Sequence, residues 1–327
     1  MRGTPPPARE PTIVSSLSPD LSGRHEWDFN GDLACWVRGR KTGPVWGVNK
    51  ARRGLKVTDE RAPLARSPFD TSVAHAARVY DYWLGGTDHF AADRKAAETV
   101  MAVNPGIVPA VRSNRAFMAR VVRYLAGPVG IRQFLDLGTG LPSVNNVHQV
   151  AQATAEDCRV VYVDRDPIVL AHARALLTGV PGTVSYILGD IREPDAILAE
   201  AVKTLDFERP IAVLLLMTLQ FIADAERPDR VVRVLVDAVP SGSYLVVSHP
   251  ASDGGARAKV ASQATARYNE LVATPMTRRS RKQVARFFDG LEIIEPGLVA
   301  MSEWRPDPGE PPPSMLSPAH CAVARKP

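Results

Sequence analysis

Four residues, FLDL at 134–137, run straight into Gly138-Thr139-Gly140, and this short pattern constrains the chain more than any other. An apolar run so brief, closed by glycines, suits a buried strand and is too short for a typical helix. Two glycines let the backbone turn sharply and bring its amides against a ligand with no Cβ in the way. A second strand, RVVYV at 159–163, ends on Asp164, the spacing at which an acid after the second strand reaches a ribose hydroxyl. Pro167 then opens a helix.

Three ligands suit such a loop. A P-loop needs Lys followed by Ser or Thr after its second glycine, whereas Leu141-Pro142 stand here, so phosphoryl transfer of that kind is disfavoured. A dinucleotide fingerprint asks for a third small residue three positions after Gly140. Ser143 supplies it, but Pro142 interrupts the helix start that pyrophosphate uses, which leaves an NAD-type oxidoreductase as the alternative. S-adenosylmethionine carries no phosphate, and a D-x-G-x-G loop can pack against its methionine end while Asp164 takes the ribose. One glycine pair after an apolar strand is otherwise only a turn. Asp164 shifts the balance towards a site.

With 327 residues, 45% apolar and 23% charged, the chain has the composition of a soluble globular protein. No window is apolar enough to cross a bilayer, and MRGTPPPAREP lacks the apolar segment of a signal peptide, so a cytoplasmic setting is expected. Cys35, Cys158 and Cys321 are too scattered for a disulfide framework or a zinc site, and no metal is expected. Residues 1–67 hold 12 Lys and Arg against 7 Asp and Glu, which accounts for the whole net charge of +5. That segment reads as a disordered basic extension, rich in Pro and Gly. Its RGRKTGPVWGVNKARRGLK is the one stretch compatible with nucleic acid, and a non-catalytic cofactor-binding regulator with such an arm is a further alternative.

Order begins near residue 68. TSVAHAARVYDYWLGG predicts a helix capped by Asp70 or Thr71 and ended by Gly85-Gly86, with Val73, Ala76, Ala77, Tyr80, Trp83 and Leu84 on its buried face. Helices follow at about 91–103 and 107–125, so 68–126 reads as a helical cap ahead of a sheet at 127–327. Further strands are expected at 183–188, 211–217 and 244–248, alternating with helices opened by Pro167, Pro194 and Pro228, a pattern that argues for a parallel sheet. Ser280 with Gln283 forms a capping box. Residues 291–294 and 299–304 offer strand material, and a final edge strand is expected near 321–324. The run TRRSRK at 277–282 reads as solvated surface.

ARVYDYWLGGTDHFAADRKAAE, RSNRAF, IRQFLDLGTGLPSVNNVHQVAQ, VVYVDRDPIVLAHARALL and ARFFDGLEIIEPGLV with WRPD, in that order, resemble a bacterial family of S-adenosylmethionine-dependent methyltransferases long catalogued as a domain of unknown function. The resemblance covers residues from about 68 onward. It implies a class I methyltransferase fold, a doubly wound α/β sheet mostly parallel with its last strand antiparallel, and a small molecule or natural product as methyl acceptor. The chain departs from the family's usual Lys at Thr87, Asn at Arg165 and His at Gln220.

Under that resemblance, S-adenosylmethionine is expected against Tyr80, Gly85 and Gly86 from the cap, Asp136, Gly138, Thr139 and Gly140 from the loop, Asp164 and Arg165 after the second strand, and Asp190 and Ile191 after the third. Asp164 is the strongest assignment, for the ribose; Asp190 is expected beside the adenine amine. Asp166 is expected to cap the helix at Pro167. No general base is named, although His148 and His249 are the histidines nearest the expected site. The glycines at 85 and 86, beside Tyr80, Asp81 and Tyr82, suggest a lid that closes over the ligand.

Overall fold

The computed structural model describes residues 70–176, 180, 182–309 and 316–327; the extension expected at 1–67 lies outside the described residues. Five parallel strands make the body of the sheet: β1 (Gln133–Leu137), β2 (Arg159–Asp164), β3 (Val184–Leu188), β4 (Ala212–Leu216) and β5 (Tyr244–Pro250). With two later strands, β6 (Glu292–Ile293) and β8 (Ala319–Arg325), the spatial order is β3-β2-β1-β4-β5-β8-β6. β8 runs antiparallel to β5, and β6 and β7 (Val299–Ala300) both pair antiparallel with β8. This is the class I methyltransferase arrangement, mostly parallel with the last strand in sequence reversed. β8 is not the edge strand expected from 321–324, because β6 and β7 cover its outer side. Of the strand material at 299–304 only two residues pair; Trp304 instead lies fully buried in a turn.

The central strands are apolar on both faces because helices cover both. Leu135, Val161, Val213, Leu215 and Val247 pack towards Ile197 of α6 (Pro194–Ala201) and Leu235 of α7 (Pro228–Asp237). Their alternating neighbours Phe134, Val160, Leu214 and Val246 pack towards α3 (Ile107–Ala126), α4 (Val147–Thr154) and α5 (Pro167–Leu176) through Phe117, Val121, Leu125, Ala151 and Ala173. Each of these side chains larger than alanine contributes about 1.5–3 kcal/mol on burial. α3 is therefore a layer of the sheet and not only a cap helix.

The cap itself is α1 (Ala76–Leu84), α2 (Ala91–Val103), the start of α3, and α8 (Ala256–Asn269), which arrives from far along the chain. Val79, Trp83, Ala97, Val111, Ala264 and Tyr268 share its core. α1 starts at Ala76, later than expected, because the Asp70 carboxylate binds Ser72 N and Oγ, and Ala74 is held extended beside Val272. His75 becomes the N-cap, its ring accepting the Ala77 amide at 3.4 Å. The buried face also differs, since Val73 is exposed and Arg78 buried. The Arg78 guanidinium donates to Asp93 at 2.9 Å, and Asp93 further accepts the His75 and Phe90 amides. Removing one partner of so buried a pair costs roughly 3–5 kcal/mol.

Candidate functional site

In an open parallel sheet the strand ends and the loops after them are left free to meet a ligand. Here the C-terminal ends of β1 to β4 open onto one cleft, roofed by α1, α3 and α8. Of the residues expected at a site, Tyr80, Asp136, Gly138, Thr139, Gly140, Asp164, Arg165, Asp190 and Ile191 all line it. Gly85 and Gly86 do not. They end α1: Gly85 takes φ +85° and donates to the Asp81 and Tyr82 carbonyls, and a Cβ on Gly86 would overlap the Asp81 carboxylate.

The two loop glycines serve different ends. Gly138 has φ +73°, and a Cβ there would lie 2.4 Å from Thr218 Cγ2, so β4 approaches too closely for any side chain. Thr218 is itself fixed, its hydroxyl donating to Leu137 O at 2.9 Å. Gly140 has φ +68° with nothing within 4 Å of where a Cβ would stand, so its backbone faces open space. Its N–H donates to Asp164 Oδ2 at 2.8 Å, while Asp164 Oδ1 accepts the Asp166 amide at 2.9 Å. Burial pushes the Asp164 carboxyl up and these two amides pull it down. Each oxygen keeps acceptor capacity for a hydroxyl. Asp166 caps α5 by accepting the Ile168 amide, as expected.

Asp136, inside β1, is 7% exposed. Burial pushes its carboxyl up to about 7, against the pull of Arg115 and the Thr139 hydroxyl. Arg115 is held by the Val144 and Asn145 carbonyls at 3.0 and 2.9 Å. Beside them Tyr80 donates to Val111 O and accepts from Asn114 Nδ2 at 3.0 Å; Asn114 Oδ1 accepts the Ser248 hydroxyl at 2.7 Å, and Ser248 Oγ accepts the Met217 amide. Met217, at the tip of β4, stands at φ +52°, a strained backbone for a side chain of its size. The chain of bonds ties the cap to the end of β4.

Arg192 grips the Asp190 carboxylate with two guanidinium nitrogens at 2.9 and 2.6 Å. Burial opposes ionisation of Asp190, but Arg192 holds the carboxyl below its ordinary range. Arg165 stands 4.0 Å from Asp190 and bonds the Thr274 hydroxyl.

Neither candidate histidine reaches the cleft. His249 is fully buried, its Nδ1 bonding Pro250 O and its Nε2 facing Arg279 at 2.8 Å. Since a guanidinium only donates, Nε2 accepts and the ring is neutral, with burial driving its pKa down to about 3. His148 is buried against the Tyr162 hydroxyl at 2.9 Å. Among the described residues the histidine that does line the cleft is His75, 3.1 Å from Asp166. Burial lowers its pKa although Asp166 and Asp164 oppose.

Besides Gln220, noted above as a departure from the family, the cleft takes residues that local pattern did not single out. Tyr268 comes from α8, Met276 and Arg278 from the following loop, and Gln220 from a 3-10 turn (Leu219–Phe221) after β4. Gln220 is 5% exposed and its Oε1 has no hydrogen-bond partner among the described residues. The run at 277–282 is not all solvated surface: Arg279 is 2% exposed and bonds Asp224, Leu219 O and Ile222 O. Among the described residues no group of three His, Cys, Asp or Glu is placed to hold a metal, and no helix is long and apolar enough to cross a membrane.

A family model described as S-adenosyl methyltransferase matches residues 63–327. Two solved structures are similar over most of the chain. A DUF574 family protein from Streptomyces avermitilis MA-4680 is 38% identical with a TM-score of 0.75, covering 79% of this chain and 99% of its own. A proposed methyltransferase of Thermobifida fusca YX is also 38% identical, with a TM-score of 0.72, covering 78% of this chain and 96% of its own. None of the curated proteins matches significantly.

Proposed function

Since the chain belongs to the S-adenosyl methyltransferase family and is an S-adenosylmethionine-dependent methyltransferase, we propose that it methylates a small molecule held between the sheet and its helical cap. The observation that carries this is the apolar lining of a cleft roofed by helices: Trp83, Phe221, Tyr268 and Met276 line it together with the glycine loop. An apolar cleft roofed by helices suits a small acceptor. Contact with nucleic acid would fall to residues 1–67 alone.

The residues present fit the cofactor. Open space over Gly140 and a carboxylate at the end of β2 suit a nucleoside. The first helix after the loop starts only at Val147, so no helix N-terminus follows the glycines as a pyrophosphate would require. That argues against the NAD alternative. When bound, S-adenosylmethionine supplies a methyl group on a cationic sulfur, whose departure needs no proton.

Asp164 accepts the ribose hydroxyls, and the amides of Gly140 and Asp166 hold its carboxylate in place to do so. Asp136 faces the methionine end, where a cationic ammonium would draw its raised carboxyl back to the ionised form. Asp190 and Ile191 border the base, with Arg192 orienting the carboxylate. Tyr80 fixes the cap against β4. No side chain is assigned as general base; alignment of the acceptor in the cleft supplies much of the rate. Cys158 and Cys321 are buried free thiols, which supports a reducing, cytoplasmic setting.

Titration calorimetry with S-adenosylmethionine, S-adenosylhomocysteine and NAD tests this reading. The first two are expected to bind one-to-one in the micromolar range and NAD to show no heat. Binding of NAD in preference to both overturns it.

A further inference from the structure

On the wall of the cleft, Arg278 is placed without a counter-charge. Its Nε donates to Ala251 O at 2.9 Å, and one terminal nitrogen donates to Ala251 O at 2.6 Å and Pro318 O at 3.0 Å. Both donors of the other terminal nitrogen are uncommitted, and Arg278 takes part in no ion pair among the described residues. The next residue shows the contrast: Arg279, fully buried where Arg278 is partly buried, is matched by Asp224 at 2.8 Å. Burial pulls the Arg278 guanidinium down to about 10, the mark of a cation that has lost water and gained carbonyls but no anionic partner.

Gln220 lies against the same stretch of backbone, since the Thr277 amide donates to Gln220 O at 2.8 Å. Its side chain is nine-tenths buried with Oε1 unpartnered, and both it and Arg278 line the cleft beside Trp83, Phe221 and Tyr268. Of the other cations on the cleft wall, Arg165 and Arg192 are answered by Asp190, while Arg115, like Arg278, is held by carbonyls, those of Val144 and Asn145. What sets Arg278 apart is the orphaned Gln220 acceptor near it: a guanidinium with a free terminal nitrogen, an unpartnered amide oxygen and aromatic residues in one cleft together describe a ligand.

Resting on the methyltransferase reading of this cleft, we infer that the methyl acceptor is a small apolar monocarboxylic acid, its carboxylate paired with Arg278 and a hydroxyl or amine on it donating to Gln220. A single guanidinium with one free terminal nitrogen matches one negative charge. A phosphate monoester would bring nearly two.

The test is calorimetry on the protein saturated with S-adenosylhomocysteine. Benzoate, salicylate and cinnamate are titrated against their primary amides, with phenyl phosphate alongside. Carboxylates are expected to bind roughly ten- to a hundredfold more tightly than the matching amides, the range of one charge-assisted hydrogen bond. Arg278→Gln is expected to erase that preference and Arg278→Lys to keep part of it. Gln220→Leu is expected to weaken salicylate more than benzoate. S-adenosylhomocysteine affinity in each variant reports an intact fold, and if Arg278→Gln loses it, the wild-type comparison and Arg278→Lys decide. Carboxylates that bind no better than amides, a preference that survives Arg278→Gln, or tighter binding of phenyl phosphate overturns the inference. Failure of the wild type to bind S-adenosylhomocysteine at all refutes instead the functional reading beneath it.

Discussion

The backbone N–H of Gly140 donates to Asp164 Oδ2 at 2.8 Å, so the loop after β1 is held in place by the last residue of β2. One carboxylate thus fixes the glycine turn and offers its remaining lone pairs to a ligand. Asp164→Asn tests the double duty: an amide group turns an N–H2 towards either the Gly140 or the Asp166 amide, donor against donor. A loss of roughly 1–3 kcal/mol in stability is expected, together with more than tenfold weaker S-adenosylmethionine binding. Thermal melts and calorimetry measure the two losses, and unchanged cofactor affinity would remove the ribose assignment.

The loop glycines separate in the same pair of assays. Gly138→Ala drives a methyl group into Thr218 at a left-handed φ and is expected to cost roughly 2–4 kcal/mol of stability. Gly140→Ala has room and costs only about 1 kcal/mol for its φ, but its methyl group fills the space over the loop and is expected to weaken cofactor binding at least tenfold. Equal effects of the two on melting temperature would contradict this division.

Asp136 sets a pH dependence. Its folded carboxyl is raised to about 7 from an ordinary value of 3.8, so the folded state binds that proton more tightly than the unfolded one. The stabilising contribution is present at low pH and is lost as pH rises from about 4 through about 7, a loss on the order of 2–4 kcal/mol. Asp136→Asn is therefore expected to raise the melting temperature of the ligand-free protein at pH 8. Cofactor affinity runs the other way in the wild type, rising with pH through about 7 as the carboxylate forms to meet the ammonium, and Asp136→Asn flattens that rise. Calorimetry between pH 5.5 and about 8.5 reads both trends.

His249 gives the opposite sign. Its ring is held neutral, with a folded pKa near 3 against 6.5, so its stabilisation is present above about 6.5 and is lost as pH falls from there towards about 3. His249→Leu leaves the buried Arg279 without that acceptor and is expected to cost roughly 2–4 kcal/mol. The pH profile of methyl transfer near neutrality is expected to stay unchanged, as it would not if His249 were the base. Urea unfolding at pH 5 and pH 8 and initial rates across the same range provide the measurements.

The part of this architecture that rests on neighbours in sequence was legible from sequence. The β1 strand, its glycine turn, β2 and Asp164 follow from apolar runs, backbone freedom and spacing, all local properties, and nine of the eleven expected site residues line one cleft. What escaped depends on partners far along the chain. α1 begins late because Asp70 prefers an Asx turn and Val272 holds Ala74 extended. Arg279 looks like surface until Asp224 and the Leu219 and Ile222 carbonyls come to it from more than fifty residues away. Arg278 joins the cleft for the same reason. Gly85 and Gly86 suit a ligand contact by sequence although they end a helix, because helix termination and ligand approach ask for the same residue.

The place of β8 bears on how the chain is made. It is the last strand to be synthesised, yet it lies between β5 and β6. A nascent chain that has emerged from the ribosome only as far as β7 has every parallel strand in hand, but β5 still presents a bare row of amides and carbonyls, and β6 and β7 have nothing to pair with. Such an edge is the kind that recruits a neighbouring chain. The interval between β7 and β8 is thus when the newborn protein is most exposed to mispairing, and residues 319–325 act as the closing stitch of a sheet otherwise already laid down.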